Sequence, residues 1–182
     1  MNITVNTELL ERYPCFIREL SDISEIVIHG TGGGVNANGL LRWMLSSQGR
    51  IEEYEKGIGL FHFIIDRDGE IIKLYDLTRW MYHSSSGQHD KCTVGIELMN
   101  PSTNNQVEYS PEQYTALVYL VSTICKVASI KTIVGHGYNK QKYSGKYKAC
   151  PGRFDWFNFG EMLDEKGMSF TASGEALYSD PV

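Results

Sequence analysis

The segment SEIVIHGTGGG, residues 24–34, sets the architecture expected of this chain. Its first part, residues 24–29, is a short apolar run rich in β-branched side chains that ends at a cluster of glycines. This pattern predicts a buried strand that leaves the core at His29. The glycines match neither a GxGxxG dinucleotide motif nor a phosphate-binding loop ending in GK[ST], so they indicate loop geometry.

Further strands and helices follow outward from this strand. Residues 60–76, LFHFIIDRDGEIIKLYD, predict a β-hairpin with its turn at Asp68-Gly69. Two more apolar runs, TVGIELMN at 93–100 and TIVGH at 132–136, predict buried strands. Helices are predicted at 40–51, 110–128 and 155–163, and the polar segment between 136 and 150 predicts a loop. The sequence therefore predicts an α/β fold with a mixed central β-sheet flanked by α-helices.

Length and composition limit the organisation of the chain. It has 182 residues, a net charge of −5 and 42% hydrophobic residues, which suits one globular domain. We expect the domain to span residues 24–165, with an N-terminal extension at 1–23 and a C-terminal tail at 166–182. The acidic balance argues against nucleic-acid binding, and no stretch reaches the ~20 apolar residues of a membrane span. Acids occupy the N-terminus, where a signal peptide is basic and then apolar, so we expect cytoplasmic synthesis.

Two histidines and one cysteine form a candidate metal site. His29 and His136 each end an apolar strand, so they would meet at one sheet edge if the strands are neighbours. Cys150, in a loop before Pro151-Gly152, would complete the three ligands of a catalytic zinc, which keeps a fourth position for water. A strand-end histidine is also a common hydrogen-bonded core residue, so the two histidines alone leave both interpretations open.

Two charged residues are candidates for catalysis. Lys148 lies two residues before Cys150, and alternation in an extended segment would point both side chains the same way. An ammonium group there would stabilise an oxyanion, although a solvated lysine is the alternative in so lysine-rich a loop. Glu97 lies in the apolar strand at 93–100, where burial would raise its pKa towards the range of a general base. A structural ion pair is the alternative for Glu97.

Six segments in order resemble one enzyme family: IVIHGT, FHFIIDRDGEI, WMYHSSS, TVGIELMN, IVGH and KACPGRFDW. They are similar to motifs of the zinc-dependent N-acetylmuramoyl-L-alanine amidases of type 2, which include phage lysozymes, muropeptide-recycling amidases and peptidoglycan-recognition proteins. The resemblance covers about residues 24–159. It implies a single-domain amidase or peptidoglycan-recognition-like fold, and one Zn²⁺ per chain held by His29, His136 and Cys150.

The same resemblance implies roles for other residues. Glu97 and Lys148 correspond to catalytic residues of the family, and His83 and Thr31 to positions near the substrate. Phe61 stands where phage-lysozyme-like members carry a catalytic tyrosine, which shifts proton transfer onto Glu97. The implied reaction is hydrolysis of the amide bond between N-acetylmuramic acid and L-alanine of the peptidoglycan stem peptide. Gly30 replaces a bulkier family residue, and we expect it to widen the cleft.

Several biological settings stay open at this stage. The implied partner is peptidoglycan or a muropeptide, and we expect a monomer, although the sequence does not fix the oligomeric state. The cysteine ligand and the short chain favour a phage or prophage lysin that acts on the cell wall after release. The alternatives are a cytoplasmic recycling amidase, a cysteine peptidase that uses Cys150 and His136, and a non-catalytic peptidoglycan-binding module.

Overall fold

The computed structural model describes residues 1–46, 50–168 and 170–172. The strands are β1 Ile3–Val5, β2 Phe16–Ile17, β3 Glu25–Gly30, β4 Phe63–Ile65, β5 Ile71–Lys73, β6 Arg79–Trp80, β7 Thr93–Leu98, β8 Thr132–Gly135 and β9 Thr171–Ala172. The helices are α1 Glu8–Arg12, α2 Ala37–Leu45, α3 Ile51–Tyr54, α4 Pro111–Cys125, α5 His136–Ser144 and α6 Trp156–Asp164. A seven-stranded mixed sheet has the order β1-β5-β4-β7-β3-β8-β9, and β2 pairs with β6 in a separate two-stranded sheet.

The predicted strand at residues 24–29 is confirmed as β3, a buried interior strand of the sheet. β3 lies between β7 and β8 and runs parallel to both, so the carboxyl ends of all three strands lie at one edge. Ile26 and Ile28 point to one face and join the larger hydrophobic cluster, to which α4 and α6 contribute. Because side chains alternate along a strand, His29 points to the opposite face.

The second face of the sheet has its own hydrophobic core. Leu9 from α1 and Leu41 and Met44 from α2 pack there against strand residues such as Ile64 and Ile72. Helices therefore cover both faces of a mixed sheet, and the predicted α/β fold class is confirmed. A cleft opens at the carboxyl ends of β3 and β7.

Local sequence signals account for several of these elements. The predicted hairpin is confirmed by antiparallel pairing of β4 with β5, and Gly69 in its turn has a φ of 85°, which favours glycine. α4 begins with a capping box in which Ser110 and Gln113 satisfy each other's backbone N–H groups.

Two predicted elements were wrong. The helix predicted at 40–51 begins earlier, because Asn36 accepts a hydrogen bond from the Gly39 N–H and caps α2, and α2 ends at Leu45. The loop predicted between 136 and 150 contains α5, which begins at His136 itself and ends where Gly145 adopts a left-handed conformation.

The predicted extension and tail both contact the sheet. β1, from within residues 1–23, pairs in parallel with β5, and Leu9 and Tyr13 are buried in the second core. β9, within the predicted tail, pairs in parallel with β8, and residues 169 and 173–182 of that tail lie outside the described residues. Within the described part of the chain, no helix is long and apolar enough to cross a membrane.

Candidate metal centre

The structure brings the three predicted ligands together. His29 is the fifth residue of β3, and His136 follows directly on β8, the parallel neighbour of β3. Their ring centroids lie 4.5 Å apart. One ligand atom from each of His29, His136 and Cys150 lies within 4.8 Å of the other two, and all three residues are buried. Adjacent strand ends and one returning loop thus converge on a single point.

Main-chain hydrogen bonds fix the position of Cys150. The Gly137 N–H at the start of α5 donates to the Cys150 carbonyl at 2.7 Å, and the Gly30 N–H donates to the Cys150 Sγ at 3.4 Å. The Tyr109 hydroxyl donates to the next carbonyl, that of Pro151, at 2.6 Å. Burial raises the pKa of the Cys150 thiol to about 12, and the Glu97 carboxylate adds to the rise. The thiol therefore keeps its proton at neutral pH unless a cation replaces it.

The His136 side chain fits a metal ligand. Both of its ring nitrogens are buried and have no hydrogen-bond partner among the described residues. Burial, with help from the Lys148 ammonium, lowers the pKa of His136 to about 2, so the ring is neutral. Buried polar atoms without partners are rare in proteins. Two neutral imidazoles and a thiol are a donor set that zinc accepts, so the residues present fit that ion.

His29 and His83 lie in direct contact. The His29 Nε2 lies 3.0 Å from the His83 Nδ1, and the His83 Nε2 lies 2.8 Å from the Thr93 Oγ1. Both rings are buried, and burial is the largest influence that lowers the pKa of each. His83 lines the cleft, but its two nitrogens already have protein partners. A substrate contact by His83 stays a prediction.

Thr31 also has partners within the protein. Its hydroxyl donates to the Asn100 carbonyl at 3.0 Å and accepts from the Asn100 N–H at 2.8 Å. These bonds tie the loop after β3 to the end of β7. The side chain lines the cleft, and its predicted contact with substrate stays a prediction.

Glu97 and Lys148 lie at the same cleft. Glu97 is the register partner of His29 on β7, and burial raises its pKa to about 8 against the opposing influence of Lys148. Lys148 and Cys150 line the cleft, whereas Tyr147 and Ala149 line a different groove. This alternation agrees with the prediction that the Lys148 and Cys150 side chains point the same way.

The cleft above these residues has a volume of about 420 Å³. Its walls are aromatic and basic: Trp43, Arg50, Tyr54, Phe61, Tyr82, Lys140 and Lys148. Phe61, which stands where the sequence comparison led us to look for a tyrosine, forms part of the cleft wall and is 7% exposed. Among the described residues that line the cleft, Glu97 is the one carboxylate.

The sequence did not predict the residues that hold the loop after His29 in place. Asn105 accepts from the Gly32 N–H at 2.8 Å and donates to the Gly30 carbonyl at 3.3 Å, which holds the loop after His29. A Cβ atom at Gly30 would clash with Asn105 and with the Tyr109 hydroxyl, so the glycine is required by packing. No local pattern at Asn105 or Tyr109 signals these contacts, because their partners lie far away in the sequence.

Fold and site together define an α/β protein with a buried cluster of two histidines and a cysteine at the carboxyl edge of a mixed sheet. The model of the N-acetylmuramoyl-L-alanine amidase family, Amidase_2, matches residues 19–153. The chain belongs to this family. No curated protein sequence matches it.

Solved structures show the same fold. The N-acetylmuramoyl-L-alanine amidase LysC from Clostridium intestinale URNW superposes with a TM-score of 0.62 at 17% identity, over 93% of this chain and 99% of that one. The Ph2119 endolysin from the Thermus scotoductus MAT2119 bacteriophage Ph2119 gives 0.63 at 19% identity, over 88% and 98%. A selenomethionine derivative of AmpD gives 0.67 at 18% identity, over 88% and 93%.

Proposed function

We propose that this protein hydrolyses the amide bond between N-acetylmuramic acid and the L-alanine of the peptidoglycan stem peptide. In this proposal, one Zn²⁺ per chain is held by His29, His136 and Cys150. The observation that carries it is the convergence of these three donors in a chain of the amidase family. A buried carboxylate and an ammonium group beside the donors supply the remaining chemistry of amide hydrolysis.

The residues of the cleft divide the chemical work. A zinc ion bound there supplies Lewis acidity, which polarises a carbonyl and lowers the pKa of water. Glu97 accepts a proton from the attacking water and returns it to the departing amine, for which a raised pKa near neutrality is suited. Lys148 stabilises the negative charge that develops on the substrate carbonyl oxygen. Phe61 has no proton to exchange, so it contributes to the wall alone.

A cysteine peptidase mechanism is disfavoured by the environment of Cys150. A nucleophilic cysteine needs a thiolate, and thiolates form where a helix N-terminus or nearby cations lower the pKa. Burial raises the pKa of Cys150 to about 12 instead, and the residue is 1% exposed. The thiol is therefore suited to bind a metal ion and unsuited to attack a carbonyl on its own.

We also propose that the protein acts on the cell wall as a lysin. The similar structures include proteins named as endolysins, and this chain covers almost their whole length. Activity on intact sacculi supports the lysin, whereas activity confined to soluble muropeptides supports a cytoplasmic recycling amidase.

Digestion of purified sacculi, followed by mass spectrometry, tests the reaction itself. We expect released stem peptides with a free N-terminal L-alanine, glycan strands that retain intact N-acetylmuramic acid, and loss of activity with a chelator that zinc restores. Cys150→Ala should lose both zinc and activity, and Cys125→Ala on α4 serves as the matched control. Binding without cleavage would indicate a non-catalytic module, and cleavage unaffected by chelator would reject the zinc mechanism.

A further inference from the structure

A chain of hydrogen bonds runs into the core behind His29. The His29 Nε2 lies 3.0 Å from the His83 Nδ1, the His83 Nε2 lies 2.8 Å from the Thr93 Oγ1, and the Thr93 hydroxyl donates to the Asp90 carbonyl at 3.0 Å. All four residues are buried. The chain joins a ligand on β3 to the first residue of β7 and to the turn before it.

The direction of each bond in this chain follows from its far end. A carbonyl oxygen only accepts, so the single hydroxyl proton of Thr93 is committed to Asp90. Thr93 must then accept from the His83 Nε2–H. In a neutral His83 ring, the Nδ1 keeps a lone pair and accepts from the His29 Nε2–H. The free lone pair of His29 is therefore on Nδ1.

A second observation independently favours the same arrangement. The Asp90 Oδ1 lies 3.8 Å from the His83 Nε2, and a carboxylate at that distance stabilises a proton on the nearer nitrogen. Asp90 is itself held in place, because its Oδ1 accepts from the Ser84 N–H at 3.2 Å and from the Ser86 hydroxyl at 3.0 Å.

Packing against β7 also fixes the position of the His83 ring. It lies across Gly95 in β7, where a Cβ atom would come within 3.0 Å of the His83 Nδ1 and 3.1 Å of its Cε1. A side chain at residue 95 would displace the His83 ring from this position. The glycine therefore leaves the space in which His83 meets His29.

We propose that His83 is a positioning residue, which fixes the tautomer and orientation of His29 and leaves the His29 Nδ1 with the lone pair that would bind the metal. This inference rests on the proposed zinc site, and it gives His83 a task other than substrate contact. Neutral histidine ligands generally donate their second ring N–H to a protein acceptor, and loss of that acceptor typically lowers metal affinity about 10–100-fold.

Zinc affinity of the full chain, measured by competition with a chromophoric chelator, tests the proposal. We expect His83→Ala to weaken zinc binding by about 10–100-fold. His83→Asn should recover much of the loss, because its amide oxygen can accept from the His29 Nε2–H. His89→Ala is the matched control and should bind zinc as the wild type does. A substrate-binding role would instead raise KM and leave zinc affinity unchanged, which would overturn the proposal.

A second pair of variants guards against a folding defect in His83→Ala. Thr93→Val removes the acceptor for the His83 Nε2–H at nearly constant shape, and Thr93→Ser keeps it. We expect Thr93→Val to weaken zinc binding by about tenfold and Thr93→Ser to leave it unchanged. Equal zinc affinity in the two variants would contradict the proposed chain.

Long-range ¹H–¹⁵N correlation spectra of the zinc-free protein read the tautomer directly. We expect the proton on the Nε2 of both His29 and His83, and a proton on the His29 Nδ1 would overturn the proposal. Failure of the wild type to bind zinc would reject the proposed function. Normal zinc binding in the wild type with no effect of His83→Ala would reject this inference alone.

Discussion

The two strand ends that carry the histidines are supported in different ways. At the end of β3, side chains hold the His29 ring through His83 and Thr93. At the end of β8, the His136 ring has no hydrogen-bond partner among the described residues, and its backbone is placed by the start of α5. One candidate ligand is oriented by core side chains and the other by main-chain geometry. Substitutions behind the two candidate ligands should therefore have unequal effects, although both would serve the one proposed centre.

The largest effects are expected from removing the ligands themselves. His29→Ala and His136→Ala should each lower zinc affinity by about 100-fold or more, since each removes one of three donors. Metal content and chelator competition measure the loss. The two strand ends should be equivalent in this respect, despite their different support. Normal zinc content in either variant would show that its histidine is not a ligand.

Glu97→Gln separates catalysis from metal binding at the β3–β7 side of the site. The amide keeps the shape of the side chain but cannot accept the proton from water, so kcat should fall by about 10²–10⁴-fold. Zinc content should be unchanged. Glu161→Gln, on the exposed side of α6, is the control. Full activity of Glu97→Gln on sacculi would reject Glu97 as the general base.

Gly30→Ala tests the packing at the His29 end. The added methyl group would clash with the Tyr109 hydroxyl and Asn105, so we expect a loss of about 1–3 kcal/mol in the free energy of unfolding. Gly160→Ala, in α6, meets no atom within 4 Å and should stabilise the protein by up to about 1 kcal/mol. Denaturant titration compares the two. An unchanged free energy of unfolding in Gly30→Ala would mean that Tyr109 and Asn105 do not pack tightly against residue 30.

The last effect, which is small within any one pH unit, concerns the acid stability of the zinc-free protein. The folded-state pKa of His136 is lowered to about 2, whereas its ordinary value is 6.5. Below pH 6.5 the unfolded chain therefore binds a proton that the folded chain does not, and stability falls as pH falls. One such ring contributes about 1.4 kcal/mol per pH unit.

Unfolding free energies of wild type and His136→Gln, followed from pH 6 down to about pH 4, isolate this contribution. The wild-type curve should fall more steeply by about one proton. Parallel curves would show that the His136 ring titrates as freely in the folded protein as in the unfolded chain.

Short-range patterns predicted the parts of this protein whose causes are local. The apolar runs that end at His29 and His136 predicted two core strands, and the cap at Ser110 predicted the start of α4. The sequence predicted that the two histidines would meet if their strands were neighbours, and the structure shows that β3 and β8 are parallel neighbours. Cys150 was placed beside them as a third donor and Lys148 by its alternation with Cys150, and the structure brings Cys150 to the two histidines and Lys148 to the same cleft.

The remaining features depend on contacts that a local pattern does not contain. α5 has no apolar periodicity, and its first turn is fixed by the bond between Gly137 and Cys150, so the sequence suggested a loop. Gly30 was expected to widen the cleft, but the structure shows Tyr109 and Asn105 packed against it. His83 was assigned to the substrate, although its Nδ1 lies 3.0 Å from the Nε2 of His29, a candidate ligand 54 residues earlier in the chain.

The distance along the chain between the donors has a consequence for synthesis. Cys150 lies 120 residues beyond Gly30, the neighbour of His29. At translation rates of roughly 5–20 residues per second, the first histidine leaves the ribosome about 10 s before the thiol that completes the set. A nascent chain therefore has no assembled centre while most of the sheet is being made. Capture of an ion by all three donors would thus report that both halves of the polypeptide have come together.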